Sequence, residues 1–148
     1  QWGDLANKLG SVVEDIVFPA SRPVLEKYFA EPIPFIFIHA VKKNKSLRLE
    51  GEFDVVAVGD KHVYVIEVKT TPRAQYLHDF EKNLARFRKL FPEYNHLGLV
   101  PVFAGLRFEV PFIKKATEKG MYVMAYREWE YMDILNFDDL SPEKATRY

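Results

Sequence analysis

The sequence predicts a single α/β domain over residues 1–148, built on a mixed central sheet flanked by helices. The first observation is the order of elements, which reads helix, three strands, helix, strand, helix, strand. The second is that the strands on either side of the longest helix have to run parallel, joined by a crossover through that helix. The third is composition, since 48% of the 148 residues are apolar, enough for a sizeable core.

The first elements follow from hydrophobic spacing and from proline. Leu5, Leu9, Val12 and Ile16 recur at helical spacing, and a second helical piece over 23–29 completes an N-terminal helical segment, 1–30. Pro19 and Pro23 predict a break between the two pieces. The next run, 35–41, alternates large apolar residues and predicts a strand, which a lysine-rich turn connects to the next one.

The later elements are bounded by proline and glycine. A long helix is predicted to begin at Thr71-Pro72 and to end before Pro92, with one apolar face. That face carries Leu77, Phe80, Leu84, Phe87 and Phe91. A strand over 97–104, a helix over 111–119 stopped by Gly120, and a strand over 121–126 follow. A C-terminal extension, 128–148, is apolar around 129–137, which predicts either a cap on the sheet or a homodimer contact.

Two strands joined by a tight turn, 51–58 and 62–69, carry the residues that point to chemistry. They are rich in Val and Ile, as in strands covered on both faces, yet they hold Asp54, Glu67 and Lys69. Because side chains alternate along a strand, Glu67 and Lys69 share one face. Charges in such a setting are costly to desolvate unless they are paired or bound to a metal.

The turn between these strands decides how Asp54 meets Glu67. A two-residue loop at Asp60-Lys61 puts Asp54 directly opposite Glu67, whereas a loop at Gly59-Asp60 makes the two diagonal neighbours. Either loop brings two carboxylates together beside Lys69. Oxygen ligands without nearby Cys or His favour Mg²⁺ or Mn²⁺, and the Val68 carbonyl offers a further oxygen. The alternative is a buried Asp–Lys–Glu ion network without metal.

Asp54, then twelve residues, then Glu67-Val68-Lys69 at the end of an apolar strand resembles the PD-(D/E)xK nuclease superfamily. The resemblance extends from about Leu5 to Tyr126, with Phe53 where the superfamily name has Pro. It implies the restriction-endonuclease-like αβββαβ core and Mg²⁺-dependent (or Mn²⁺-dependent) hydrolysis of phosphodiester bonds in DNA. It also implies that Asp54 and Glu67 are metal ligands and that Lys69 is the catalytic lysine.

The same resemblance suggests a Glu on the first helix that joins the catalytic metal site. Glu14 fits that position, because Gly10-Ser-Val-Val-Glu14 has the spacing found in family members, and Asp15 is the substitute. On a helical wheel, however, Glu14 lies nearly opposite the apolar stripe, which is also what a solvated face looks like.

Charge predicts where a nucleic acid would bind. With 21 basic and 21 acidic residues the chain has no net charge, so contact requires a local patch. Lys42, Lys43, Lys45 and Arg48, which lead into the Asp54 strand, are the predicted nucleic-acid-binding residues. Lys82, Arg86, Arg88 and Lys89 form a second basic cluster. Ordinary solvated surface is the alternative for both.

The remaining features limit the setting. No cysteine is present, which excludes disulfides and thiolate zinc sites. No run is long enough to span a membrane and no secretory signal is visible, so we expect a cytoplasmic protein. The alternative function is a non-catalytic module on the same fold that binds nucleic acid or protein.

Overall fold

A computed structural model describes residues 12–127, 132–140 and 148. Its core is a six-stranded mixed sheet in which the strands lie in the order of the sequence. The strands are β1 (Phe35–Asn44), β2 (Leu49–Val58), β3 (His62–Val68), β4 (Gly98–Gly105), β5 (Tyr122–Tyr126) and β6 (Met132–Ile134). The pairs β1–β2, β2–β3 and β5–β6 are antiparallel, and β3–β4 and β4–β5 are parallel. The predicted α/β fold with a mixed sheet flanked by helices is confirmed.

Helices cover both faces of the sheet. A π-helical segment, Val12–Val17, runs into α1 (Phe18–Phe29), which packs on one face. The parallel crossovers α2 (Ala74–Leu90) and α3 (Val110–Glu118) pack on the other face. The predicted apolar side of α2 is buried there. No helix in the described part of the chain is long and apolar enough to cross a membrane.

The predicted break at the two prolines is wrong, because the chain is helical without interruption through both of them. Pro19 lies in the first turn of α1, directly after the π-helical segment, where its fixed φ already matches a helical backbone. Pro23 lies inside α1 and removes one bond. Burial of Ala20, Val24 and Leu25 against the sheet keeps the helix intact despite that loss.

The described part of the C-terminal extension adds a strand to the sheet. Met132 and Ile134 are buried, and Met132–Ile134 pairs antiparallel with β5. This apolar stretch was predicted either to cap the sheet or to form a homodimer contact. Residues 132–134 cap the sheet edge. Trp129 and Tyr131 lie outside the described residues.

The turn between β2 and β3 is the Asp60-Lys61 loop. The Gly59 N–H donates to the His62 carbonyl at 2.8 Å, and the ladder continues from there to the pair Val55 and Ile66. The first of the two predicted registers is therefore correct. In this register the residue directly across from Asp54 is Glu67.

A buried carboxylate holds this turn in place. Glu31 is only 6% exposed, and its oxygens accept the Lys61 backbone N–H at 2.8 Å and the Tyr64 hydroxyl at 2.5 Å. The His62 Nδ1 atom lies 2.6 Å from the same carboxylate. A Cβ at Gly59 would come within 2.4 Å of a Glu31 oxygen, so only glycine fits this close approach.

We expect Glu31→Ala to lower the free energy of unfolding by roughly 2–4 kcal/mol, because it removes the acceptor of three hydrogen bonds, among them that of the buried Tyr64 hydroxyl. Burial acts to raise the pKa of Glu31, but the hydrogen bonds from Tyr64, Lys61 and His62 outweigh it and the pKa is lowered from 4.5. The stabilisation is therefore complete above pH 4.5 and is lost as pH falls through the lowered pKa. Denaturant unfolding at neutral and acid pH measures both effects.

The matched control is Glu93→Ala, which removes an exposed glutamate. A loss of stability no larger than that of the control would contradict the role assigned to Glu31.

Candidate metal centre and active site

Asp54 lies where the hydrogen-bonded ladders on both sides of β2 are interrupted. On the β1 side the ladder skips His39, whose φ of 52° is in the left-handed region that non-glycine residues rarely adopt. On the β3 side the ladder ends at Val55 and Ile66. The backbone around Asp54 is therefore released from regular pairing.

The interruption also resets which way the side chains of β2 point. Val55 packs on the α1 side of the sheet, and strict alternation would place Phe53 there as well. Phe53 instead packs against Phe87 and Phe91 on the α2 side. One step of the alternation is thus lost at Asp54.

The Asp54 carboxylate replaces the missing ladder bond. Its Oδ2 atom accepts the backbone N–H of Val68 at 2.8 Å, the next donor that a continued ladder would have used. The side chain thereby fills the gap between β2 and β3, and one oxygen is fixed against the backbone. The predicted metal-ligand role of the Val68 carbonyl stays a prediction.

Asp54 and Glu67 form a hydrogen-bonded pair of carboxyl groups. Burial raises the pKa of Glu67 to about 9, with further increases from the negative charge of Asp54 and from the hydrogen bond between them. Lys69 acts in the opposite direction but does not compensate. At neutral pH the metal-free pair therefore keeps one proton.

Lys69 lies beside the pair without being tied to it. Its backbone N–H donates to the Ala104 carbonyl at 3.0 Å, and its Nζ atom lies 4.9 Å from the ring centroid of Tyr76. Among the salt bridges of the described residues none involves Lys69. The structure therefore does not contain the alternative Asp–Lys–Glu ion network.

The three residues open into a polar cavity of about 610 Å³ between the sheet and α2. Asn83 and Arg86 line it from α2, and Glu50 and Glu52 line it from β2. An adjoining cavity of about 190 Å³ continues along α2 past Tyr76 and Asp79. The space above the carboxyl pair is thus accessible and bordered by charged groups.

The donor set fits a hard divalent cation. The described residues bring two carboxylates together here, and among them no group of three or more His, Asp or Glu that could hold a metal is found. Two oxygen donors suit Mg²⁺ or Mn²⁺, which keep several waters in proteins. A cation between Asp54 and Glu67 would also relieve the repulsion that raises the pKa of Glu67.

Glu14 lies near the carboxyl pair, but its side chain contacts His39. It lies exposed on the π-helical segment, and its Oε1 atom is 3.3 Å from the Nε2 atom of His39. Because His39 and Asp54 line one cavity of about 140 Å³, Glu14 approaches Asp54 through His39. Its predicted roles in catalysis and metal binding stay predictions. Asp15 is exposed on the same segment.

The predicted nucleic-acid-binding residues lie around the β1–β2 hairpin. The Lys42 Nζ atom is 4.9 Å from the Phe91 ring centroid, and Lys43 pairs with Glu50 at 3.8 Å. Lys45 and Arg48 are exposed at the hairpin end. Glu50 lines both the main cavity and a shallow one at this hairpin end, so the basic residues adjoin the candidate site.

Within the second basic cluster, Arg88 and Arg86 have different surroundings. Arg88 is not a surface cation, because its guanidinium donates to the carbonyls of Tyr94, Leu97 and Tyr148 at 2.9–3.0 Å. Arg86 instead faces the cavity, together with Asn83, which sequence reasoning did not single out. The available signal was the helical spacing of Tyr76, Asp79, Asn83 and Arg86, a polar stripe beside the apolar one.

Sequence comparisons give no relatives: no family model and no curated protein matches the chain. Among solved structures, protein VC1899 from Vibrio cholerae is similar over 93% of this chain, with 15% identity and a TM-score of 0.50. AF1548, a protein of unknown function, matches 66% of the chain with 23% identity and a TM-score of 0.43. The small subunit of the heterodimeric restriction endonuclease R.BspD6I matches 81%, with 11% identity and a TM-score of 0.39.

These similarities concern the fold alone. The chain spans 30% of the length of VC1899, 53% of AF1548 and 71% of the restriction endonuclease subunit. With identities of 11–23%, they do not identify the activity of this chain.

We expect Glu67→Gln to stabilise the metal-free protein increasingly as pH rises. The pKa of Glu67 is raised from 4.5 to about 9, so its contribution is complete below 4.5 and is lost as pH rises towards 9. Gln stays neutral and avoids that loss. In EDTA, the thermal midpoint of the variant minus that of the wild type should be larger at pH about 8 than at pH about 5.

Glu52→Gln is the matched control, because Glu52 is an exposed carboxylate on the rim of the same cavity. If the wild type and Glu67→Gln keep a constant difference across this pH range, the proton-sharing pair is refuted.

Proposed function

We propose that the chain is a Mg²⁺- or Mn²⁺-dependent nuclease of the PD-(D/E)xK superfamily that hydrolyses phosphodiester bonds in DNA. The observation that carries the proposal is the Asp54–Glu67 carboxyl pair, which opens into a polar cavity with Lys69 beside it. The pair lies on the central strands of a sheet with the αβββαβ order that this superfamily shares. Fold and motif therefore support the same class of enzyme.

Asp54 and Glu67 would hold the cation, with the Val68 carbonyl and Glu14 as predicted further donors. When bound, the cation supplies positive charge for a phosphate oxygen and lowers the pKa of a coordinated water. Asp54 is already oriented for this role by the Val68 N–H. Glu67 has to release its proton before it becomes a ligand, so cation affinity should rise with pH.

Lys69 is suited to stabilise negative charge that develops on the phosphate. Its ammonium has no carboxylate partner among the described residues, and the Tyr76 ring holds it at the cavity wall. A fixed positive charge in a partly desolvated site acts more strongly on the transition state than on free substrate in water. Lys69 is therefore the proposed catalytic lysine.

Lys45 and Arg48 are the proposed contacts to the DNA backbone. Both are exposed at the end of the β1–β2 hairpin, next to the cavity that holds the carboxyl pair. Lys42 and Lys43 lie on the same hairpin, and the ion pair between Lys43 and Glu50 is exposed, so it can exchange for phosphate. These four residues would form a basic approach to a cavity that is otherwise acidic.

The second candidate is a non-catalytic binding module on the same fold. One observation favours a module of this kind that binds protein: Glu50 and Glu52 make the rim of the cavity acidic, which repels a phosphate backbone when no cation is bound. In a nuclease the Lys69 ammonium speeds cleavage, whereas a binding module has no cleavage for it to speed. This difference is measurable.

We expect the wild type to cleave DNA only when Mg²⁺ or Mn²⁺ is present, and Lys69→Met to be slower by about two to three orders of magnitude. Methionine keeps the apolar stem and removes the ammonium. Single-turnover cleavage of labelled DNA measures the rate, and thermal midpoints check that the variant is folded.

Lys61→Met is the control, because Lys61 is exposed at the opposite end of β3. No cleavage by the wild type under any of these conditions, or equal rates for wild type and Lys69→Met, would refute the nuclease.

A further inference from the structure

The Arg86 guanidinium lies in the candidate site and has no carboxylate partner within the described part of the chain. Its side chain is exposed on α2 and lines both the 610 Å³ and the 190 Å³ cavities, together with Glu67 and Lys69. Within the described part of the chain it forms no salt bridge and no hydrogen bond. An arginine that faces several carboxylates without pairing to any of them is available to an anion.

The backbone that carries Arg86 is fixed relative to the carboxyl pair. One turn earlier on α2, the Asn83 Nδ2 atom donates to the Glu52 carbonyl of β2 at 2.9 Å. One residue later, the buried Phe87 packs edge-to-face on Phe53, with ring centroids 5.3 Å apart. Both contacts join α2 to Glu52 and Phe53, the two residues of β2 before Asp54, so the cavity wall and the strand that carries Asp54 keep their spacing.

The Lys69 ammonium and the Arg86 guanidinium bind anions in different ways. Lys69 lies at the sheet end of the cavity over Tyr76, and its ammonium acts as a point charge. Arg86 lies on the helical wall, and its planar guanidinium presents paired donors that match two oxygens of a phosphate. Two cations on different walls of one cavity suit two phosphates of one strand better than a single phosphate.

We propose that Arg86 binds the DNA phosphate next to the one that lies over Asp54 and Glu67. This inference rests on the proposed function and adds the α2 wall to the DNA-binding surface. Arg86 thereby sets the position of the strand over the carboxyl pair. It acts on substrate binding, while Lys69 acts on the chemical step.

The test separates binding from cleavage by replacing Mg²⁺ with Ca²⁺ and titrating a fluorescein-labelled DNA duplex by anisotropy. Arg86→Gln should weaken binding about tenfold, the typical worth of a charge-assisted bidentate contact. It should also lower the slope of log K against log salt by about 1, since one phosphate contact is lost. Arg86→Lys should recover the slope but only part of the affinity, because it keeps the charge and loses the fork.

Lys89→Gln is the matched control, since Lys89 is exposed one turn further along α2 and lines neither cavity. Its affinity should stay within about twofold of the wild type. Single-turnover cleavage with Mg²⁺ at sub-saturating DNA should fall in Arg86→Gln by about the same factor as the affinity, and thermal midpoints verify folding.

Each outcome decides between the two proposals. Wild-type binding with equal affinities for Arg86→Gln and Lys89→Gln would overturn the role of Arg86 and leave the nuclease standing. A loss of saturated cleavage rate without a loss of affinity would also overturn it. A wild type that binds no DNA with Ca²⁺ would overturn both.

Discussion

Antiparallel pairing of β2 with β3 around the Asp60-Lys61 turn places Asp54 directly across from Glu67. A slip of one residue would move Asp54 out of register with Glu67 and send its side chain to the other face. The turn is held by Glu31, which is hydrogen-bonded to Lys61 in the turn and to His62 and Tyr64 after it, and by the close approach of Gly59. The candidate site thus depends on a buried carboxylate at the far end of the same hairpin.

The site itself works against the stability of the fold. Two half-buried carboxyl groups share a proton, a ladder is interrupted on both sides of Asp54, and His39 has a left-handed backbone conformation at the same level. Features of this kind persist where the surrounding structure determines them, and they cluster at functional sites. Here the surrounding structure is the aromatic packing of Phe53 on Phe87 and Phe91 and the apolar layers on both faces of the sheet.

Periodicity and turn chemistry were sufficient to predict the sheet, the crossover helices and the proximity of Asp54 to Glu67, but they left two registers for this pair. Leu77, Phe80, Leu84 and Phe87 repeat at helical spacing, and the Val-rich runs around a two-residue turn limit the possible registers. These signals are local. The course of the chain through Pro19 and Pro23 was not predictable, since burial on the sheet decides it rather than intrinsic propensity.

Tertiary contacts also explain the side chains that sequence reasoning misassigned or missed. Arg88 lies on the same helix as Arg86, yet it is turned inward by three carbonyls, two from the segment that follows α2 and one from Tyr148. Asn83 and Glu31 owe their roles to strands that are remote in sequence. The ladder interruption at Asp54 arises from β1 and β3 together, and no residue pattern in β2 alone signals it.

Calorimetric titration with Mn²⁺ tests the central claim, that Asp54 and Glu67 form a divalent-cation site. Asp54→Asn is the informative variant, because the amide oxygen can still accept the Val68 N–H while the negative charge is gone. The account predicts saturable Mn²⁺ binding in the wild type and in the rim variant Glu52→Ala, and its loss in Asp54→Asn. Equal binding in all three proteins, or none in the wild type, would contradict it.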